Sequence, residues 1–316
     1  MQKIILIFLK ILGIVLIIVG LVAAYYGPLE IFVFYLFSEG GRFYYAGFGV
    51  GSFWFAALVV QNLGYYIIAA LCLPVGIGHV RLRRWALTLT QLYLWFWLGA
   101  GLWLIGNGVL LIPSLYRLFD RDVLVLQLTV LGVSSFLSLI LLPALALWFY
   151  RSRRVRAVFE AHDPHCYWTE SYPFSLLALL LLYVIMIIVL HVAIFFQGLF
   201  PMFGQIMQGR PSAYVIALGI LILGIFIYGT ARLKIWAWWG SLVFVSLLTS
   251  SALLSFSGYR FYDIILKMDL PAFEMGLIDK MVFLHDYPLV GLFIFPLLVT
   301  MGLIIYSRRY FVKEGG

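Results

Sequence analysis

The chain has 316 residues, of which 65% are apolar and only 11% charged, with a net charge of +8; an ordinary soluble domain is roughly half apolar and a quarter charged. That balance excludes a water-exposed globular surface and suits lipid, where a helix shows about twenty apolar residues to cross some 30 Å of hydrocarbon. The positive charge is gathered in short clusters at the ends of apolar runs, a mark of membrane topology rather than of a nucleic-acid face, so no nucleic-acid partner is expected.

The first apolar run, near residues 4 to 25, carries Lys3 and Lys10 and ends in Val22-Ala23-Ala24. It is longer than a usual signal core and is expected to stay as an anchor, with Lys10 snorkelling to the headgroups. Leu29 to Phe37 reads as a short amphipathic element on the outer surface, and the glycines of Gly47-Phe48-Gly49-Val50-Gly51 are too weak a pattern for a phosphate loop. Further spans fall near residues 53 to 78, 85 to 112, 123 to 149, 174 to 197, 212 to 229, 236 to 257 and 289 to 307. The expected fold is an all-α integral membrane protein with eight transmembrane helices. Between the last two spans, Asp269-Leu270-Pro271 reads as a helix start, with Phe273, Leu277, Met281 and Leu284 on one face of an outer amphipathic helix near 270 to 285. Cys72 and Cys166 fall in an apolar run and a polar loop, which is no disulfide framework.

Orientation follows from the connections. One alternating set holds Lys3, Lys10, Arg81, Arg83, Arg84, Arg151, Arg153, Arg154, Arg156, Arg232, Lys234, Arg308, Arg309 and Lys313, fourteen basic residues against seven in the other set. The positive-inside bias makes the richer set cytoplasmic, and with it both termini. Trp85, Trp148, Tyr150, Trp236, Trp238, Trp239 and Tyr306 stand beside these clusters as interface anchors. A multi-pass cell membrane protein is therefore expected, and a bacterial plasma membrane fits the short loops.

The strongest pattern is a duplication. Gly78-His79-Val80-Arg81-Leu82-Arg83-Arg84-Trp85-Ala86 matches Gly229-Thr230-Ala231-Arg232-Leu233-Lys234-Ile235-Trp236-Ala237, and Tyr116-Arg117-Leu118-Phe119-Asp120 resembles Tyr259-Arg260-Phe261-Tyr262-Asp263. Each copy of the first reads as a tight turn in which the glycine ends one helix and the tryptophan starts the next. The halves are expected to be two parallel four-helix modules, residues 1–156 and 173–316, joined by a cytoplasmic linker at 157–172. An even number of crossings makes the copies parallel, related by an axis along the membrane normal.

Ionisable groups inside spans are functional candidates, because lipid makes them costly. His191, about 9 Å from the outer end of its span at 1.5 Å per residue, is the candidate cofactor ligand. Asn62, Asn107, Gln127, Thr249, Ser250 and Ser251 are the candidate lining of a substrate path between the modules. The simpler role for such side chains is hydrogen bonding between helices. No second histidine lies within a span to complete a bis-histidine haem, and no cofactor is assigned. Glu160-Ala161-His162-Asp163-Pro164-His165-Cys166 crowds metal-ligand types, but no second Cys/His pair is there to close a zinc site, so an ordinary polar loop is expected.

No phosphate loop, dinucleotide fingerprint, paired catalytic carboxylates or Ser/His/Asp arrangement is present, so the chain is not expected to be an enzyme. Three roles remain. The first is a non-catalytic subunit or scaffold of a larger membrane complex, with lipids and other membrane subunits as partners. The second is a transporter, channel or lipid-handling protein for a neutral or apolar substrate. The third is a pigment- or cofactor-binding subunit resting on His191.

Overall fold

A computed structural model describes residues 2–45, 48–49, 52–268, 270 and 272–311. It is 83% helical. Eight of the helices described are long and apolar enough to cross a membrane. They are α1 (Gln2–Phe37), α2 (Phe53–Val80), α3 (Arg84–Leu118), α4 (Arg121–Ser135) running on through a π turn into α5 (Leu142–Tyr150), then α8 (Phe174–Phe195), α9 (Gly209–Ala231), α10 (Ile235–Ser257) and α14 (Leu289–Phe311). Between them lie α6 (Arg153–His162), α7 (Trp168–Ser171), an antiparallel hairpin of β1 (Phe200–Met202) and β2 (Gln205–Met207), α11 (Phe261–Lys267), α12 (Ala272–Lys280) and α13 (Val282–His285).

Local chemistry accounts for the boundaries. The π turn, Phe136–Leu141, lies just before Pro143, whose missing N–H and bulky ring break the i−4 ladder and let the helix widen. Pro28, Pro74, Pro113 and Pro296 sit inside α1, α2, α3 and α14, a tolerance usual in membrane helices. Pro28 therefore does not end α1, and Leu29–Phe37 continues that helix instead of forming a separate surface element. The expected outer helix near 270–285 is broken at Met281 into α12 and α13; Asp269 and Pro271 of its start signal lie outside the described residues. So do Gly47, Val50 and Gly51 of the glycine run, and Lys313.

The chain gathers into two compact units, residues 1–99 with 137–172 and residues 100–136 with 173–316. In the first unit, α1 lies along α2 through glycines. A Cβ added at Gly13 would meet the Gly76 carbonyl oxygen at 2.8 Å, and one at Gly76 would meet that of Gly13 at 2.8 Å, so the two backbones are in van der Waals contact. At the basic end of the unit, α6 buries Val155, Val158 and Phe159 against Leu9, Leu82, Leu87 and Tyr150. Residues 157–172 are thus folded onto the spans, as α6 and α7.

In the second unit α10 packs on α9 and α14, and α8 packs on α9 and α14. The Trp238 indole donates to the Ile304 carbonyl at 2.7 Å, fastening α10 to α14. At the other end, Ser251 and Ser255 hold the β1–β2 hairpin. Each accepts a backbone N–H, from Phe203 at 2.9 Å and Gly204 at 3.0 Å, and donates to a carbonyl, of Pro201 at 2.9 Å and Gln205 at 3.1 Å.

Candidate functional site

The two matched sequence turns have one backbone. Arg83 N–H bonds the Gly78 carbonyl and Leu82 N–H that of His79; Lys234 N–H bonds Gly229 and Leu233 N–H bonds Thr230. This crossed pair of bonds is the Schellman helix end. The residue in left-handed conformation is a leucine in both, Leu82 and Leu233, each at φ 52°. The glycines therefore do not end the helices, contrary to the sequence expectation. They lie four residues before the leucines, where a Cβ would come within 2.5 Å of the Cβ of Ala86 or Ala237. What requires glycine is the approach of the following Trp-Ala pair.

Side chains then treat the two turns differently. His79, wholly buried at the basic end of α2, has Nδ1 2.8 Å from the Val75 carbonyl and Nε2 2.8 Å from the Tyr150 hydroxyl. Phe159 meets its ring edge-on, with centroids 5.7 Å apart. Beneath this centre Arg83 reaches Asp163 at 3.4 Å and Arg84 reaches Glu170 at 2.5 Å, while the Arg84 amide donates to Asp163 at 3.3 Å. Asp163 is fully buried. Its burial opposes ionisation, but hydrogen bonds from the Arg84 amide, Tyr167 and the His165 amide, with the charge of Arg83, hold its carboxyl below the usual range.

At the second turn, Thr230 takes the place of His79. The hydroxyls of Thr230 and Ser241 face that of Tyr183, and all three residues are buried. Beyond one another, the three oxygens have no partner within hydrogen-bonding distance among the described residues.

The sequence candidates spend their hydrogen bonds separately. Asn62 donates to the Leu58 carbonyl at 3.0 Å and is packed beside Gly27 of α1. Asn107 donates to the Trp103 carbonyl at 2.8 Å and accepts from the Tyr287 hydroxyl at 2.6 Å, a bond whose burial raises the phenol's pKa. Thr249 donates to the Val245 carbonyl at 2.7 Å, Ser250 is exposed, and Ser251 belongs to the hairpin clamp. Gln127 and His191 point away from the fold and are exposed, His191 with Nδ1 2.8 Å from the Ile187 carbonyl.

In the segment rich in metal-ligand types, His162 Nδ1 lies 2.8 Å from the Val158 carbonyl, Asp163 is in the ionic cluster and Cys166 is exposed. Among the described residues no three His, Cys, Asp or Glu side chains are placed to share a metal ion. A cavity of about 320 Å³ at the far end of α1 is lined by Val33, Phe34, Phe37, Tyr45 and Phe48, all aromatic or aliphatic.

Sequence reasoning missed His79, Tyr150, Asp163 and Glu170 as a group. The first two are separated by 71 positions, and no local pattern marks such a pair. The one available signal was a histidine inside the repeated turn where the other copy has threonine.

The span formed by α4 and α5 is exposed over much of its length. From Arg121 to Leu142 only Leu124 is buried, and only Leu128, Ser135, Leu139 and Ile140 are half-buried. Thr129 to Ser134 are six consecutive exposed residues, and at 3.6 residues per turn they sweep the whole circumference. No protein family, characterised protein or solved structure compared with the chain matches it.

Proposed function

We propose that the chain is a non-catalytic membrane subunit of a larger assembly, and that α4 is part of the surface its partners cover. The carrying observation is the exposure of most of α4, with Gln127 on it and only the narrow stripe of Leu124, Leu128 and Ser135 covered. Membrane helices associate through packing and interhelical hydrogen bonds rather than through a hydrophobic driving force. A helix that buries so little of its circumference leaves a surface open to such association. Lipid can cover its leucines and valines, but it offers no partner to the Gln127 amide or the exposed ring of His191. The scattered bonds of Asn62, Asn107, Thr249 and Ser251 favour this reading over a polar substrate path.

The finer architecture belongs to the same proposal. The matched Schellman ends and the matched glycine contacts support two parallel four-helix repeats. The fourteen basic residues against seven support basic ends, and both termini, on the cytoplasmic side of a cell membrane.

Purification of the tagged chain from native membranes in a gentle detergent, followed by mass spectrometry and an absorption spectrum, tests the reading. Other membrane chains at fixed stoichiometry and no chromophore are expected. A lone chain at every detergent strength would overturn it, and a bound pigment lost on His191→Ala would replace it with a cofactor-binding role.

A further inference from the structure

Charge at the basic end of the first unit is sorted by direction. Arg83 and Arg84 turn inward to Asp163 and Glu170, whereas Arg81, Arg151, Arg153, Arg154 and Arg156 are exposed. Folding ties these five to one place. His79 is bonded to Tyr150 at 2.8 Å, which brings Arg81, two residues on from the one, near Arg151, next to the other. Leu82, Tyr150 and Val155 then share one buried cluster.

Directly after Tyr150, Ser152 caps α6, its hydroxyl accepting from the Val155 amide at 3.3 Å. That helix buries Val155, Val158 and Phe159 against the unit, so Arg153 and Arg156 lie on its exposed face. Its exposed acid, Glu160, lies 3.8 Å from Arg156. A helix that starts where a span ends and docks across the end of the unit sits at headgroup depth. Guanidinium groups held there are at the height of lipid phosphates and suited to paired hydrogen bonds with them.

From this arrangement we infer that the basic end of the first unit is a docking surface for anionic phospholipid headgroups, carried by Arg81, Arg151, Arg153 and Arg156. Charge complementarity identifies the occupant: clusters of four to eight basic residues beside a span attract anionic lipid, and in this fold the inner acids are already taken by Arg83 and Arg84. Among the described residues, the second turn, with Arg232 and Lys234, is followed directly by α10 with no surface helix to extend the patch. The inference is independent of the subunit reading and of which side of the membrane the end occupies.

The test uses the full-length protein in detergent with equimolar phosphatidylglycerol and phosphatidylcholine, counting retained lipids by native mass spectrometry at low and high salt. Retention of phosphatidylglycerol is expected to exceed that of phosphatidylcholine by roughly tenfold or more and to fall with salt. Arg151→Gln with Arg153→Gln and Arg156→Gln is expected to remove most of that preference, and Arg232→Gln with Lys234→Gln to leave it. If the triple variant fails to elute as a folded species, Arg153→Gln alone is expected to lower the preference about threefold. Equal retention of the two lipids, or an unchanged preference in a folded variant, would overturn the inference. Displacement of the lipid by inorganic phosphate at matched ionic strength would put a free phosphate there and overturn it too.

Discussion

The turns at residues 78–86 and 229–237 share a backbone but not an environment. Both end a helix on a left-handed leucine and both press a glycine against a following Trp-Ala pair. Yet the first is locked to a distant helix by His79 and Tyr150, while at the second the Thr230, Ser241 and Tyr183 hydroxyls meet only one another. Local sequence sets the path of such a turn, and long-range packing sets what its polar side chains achieve.

The largest effects are expected where the turns agree. Gly78→Ala and Gly229→Ala each put a Cβ within 2.5 Å of another. The helix preference of alanine is worth about 1 kcal/mol or less, whereas overpacking costs about 1–3 kcal/mol. Both variants should therefore unfold at lower temperature in detergent. Gly229→Ala should suffer more, since the Trp236 ring comes to 2.6 Å where Trp85 comes to 3.0 Å. A neutral result at both sites would mean that the shared geometry is not what the shared glycine serves.

Next come the substitutions that separate the turns. His79→Leu removes two hydrogen bonds and strands the Tyr150 hydroxyl, a loss of about 1–3 kcal/mol. Thr230→Val deletes a hydroxyl that meets only the neighbouring hydroxyls of Tyr183 and Ser241, and is expected to cost less than His79→Leu. Thermal unfolding of the two variants side by side checks the contrast, and equal losses would erase it.

The smallest effect is in pH. The Asp163 carboxyl is held below its usual range, so its bonds stabilise the fold fully above the unfolded-state value, about 4. That contribution is lost as pH falls through the lower folded value. The hydrogen-exchange protection of residues 157–172, taken relative to the free-peptide rate at each pH, should fall on acidification below about pH 4, while residues 229–237, with no such acid, stay protected. Loss of protection already at pH 6, or equally in both turns, would exclude Asp163 as the cause.

Much of the architecture was legible in the sequence because lipid imposes strict rules. Arginine clusters and tryptophans marked where spans meet headgroups, and the helix ends fall within a few residues of those marks: α2 stops at Val80 and α10 runs from Ile235 to Ser257. What escaped depends on contacts rather than on composition. Leu29 to Phe37 read as a separate outer element, but α1 runs through Pro28 and includes it. In residues 157–172, Asp163 and Glu170 are met by Arg83 and Arg84, some eighty positions away, which no local pattern marks. Gln127 and His191 were noticed as polar groups within spans; that they face away from the fold was not readable from spacing alone.

The assembly proposal rests on α4, and photo-cross-linking in native membranes tests it most directly. A photoreactive residue at Gln127 or Leu131, both exposed, should yield a discrete adduct with another membrane chain, whereas one at buried Leu223 of α9 should cross-link only within the chain. If α4 gives only lipid adducts under conditions where Leu223 gives its internal cross-link, that surface faces the bilayer alone and the chain is no subunit through it.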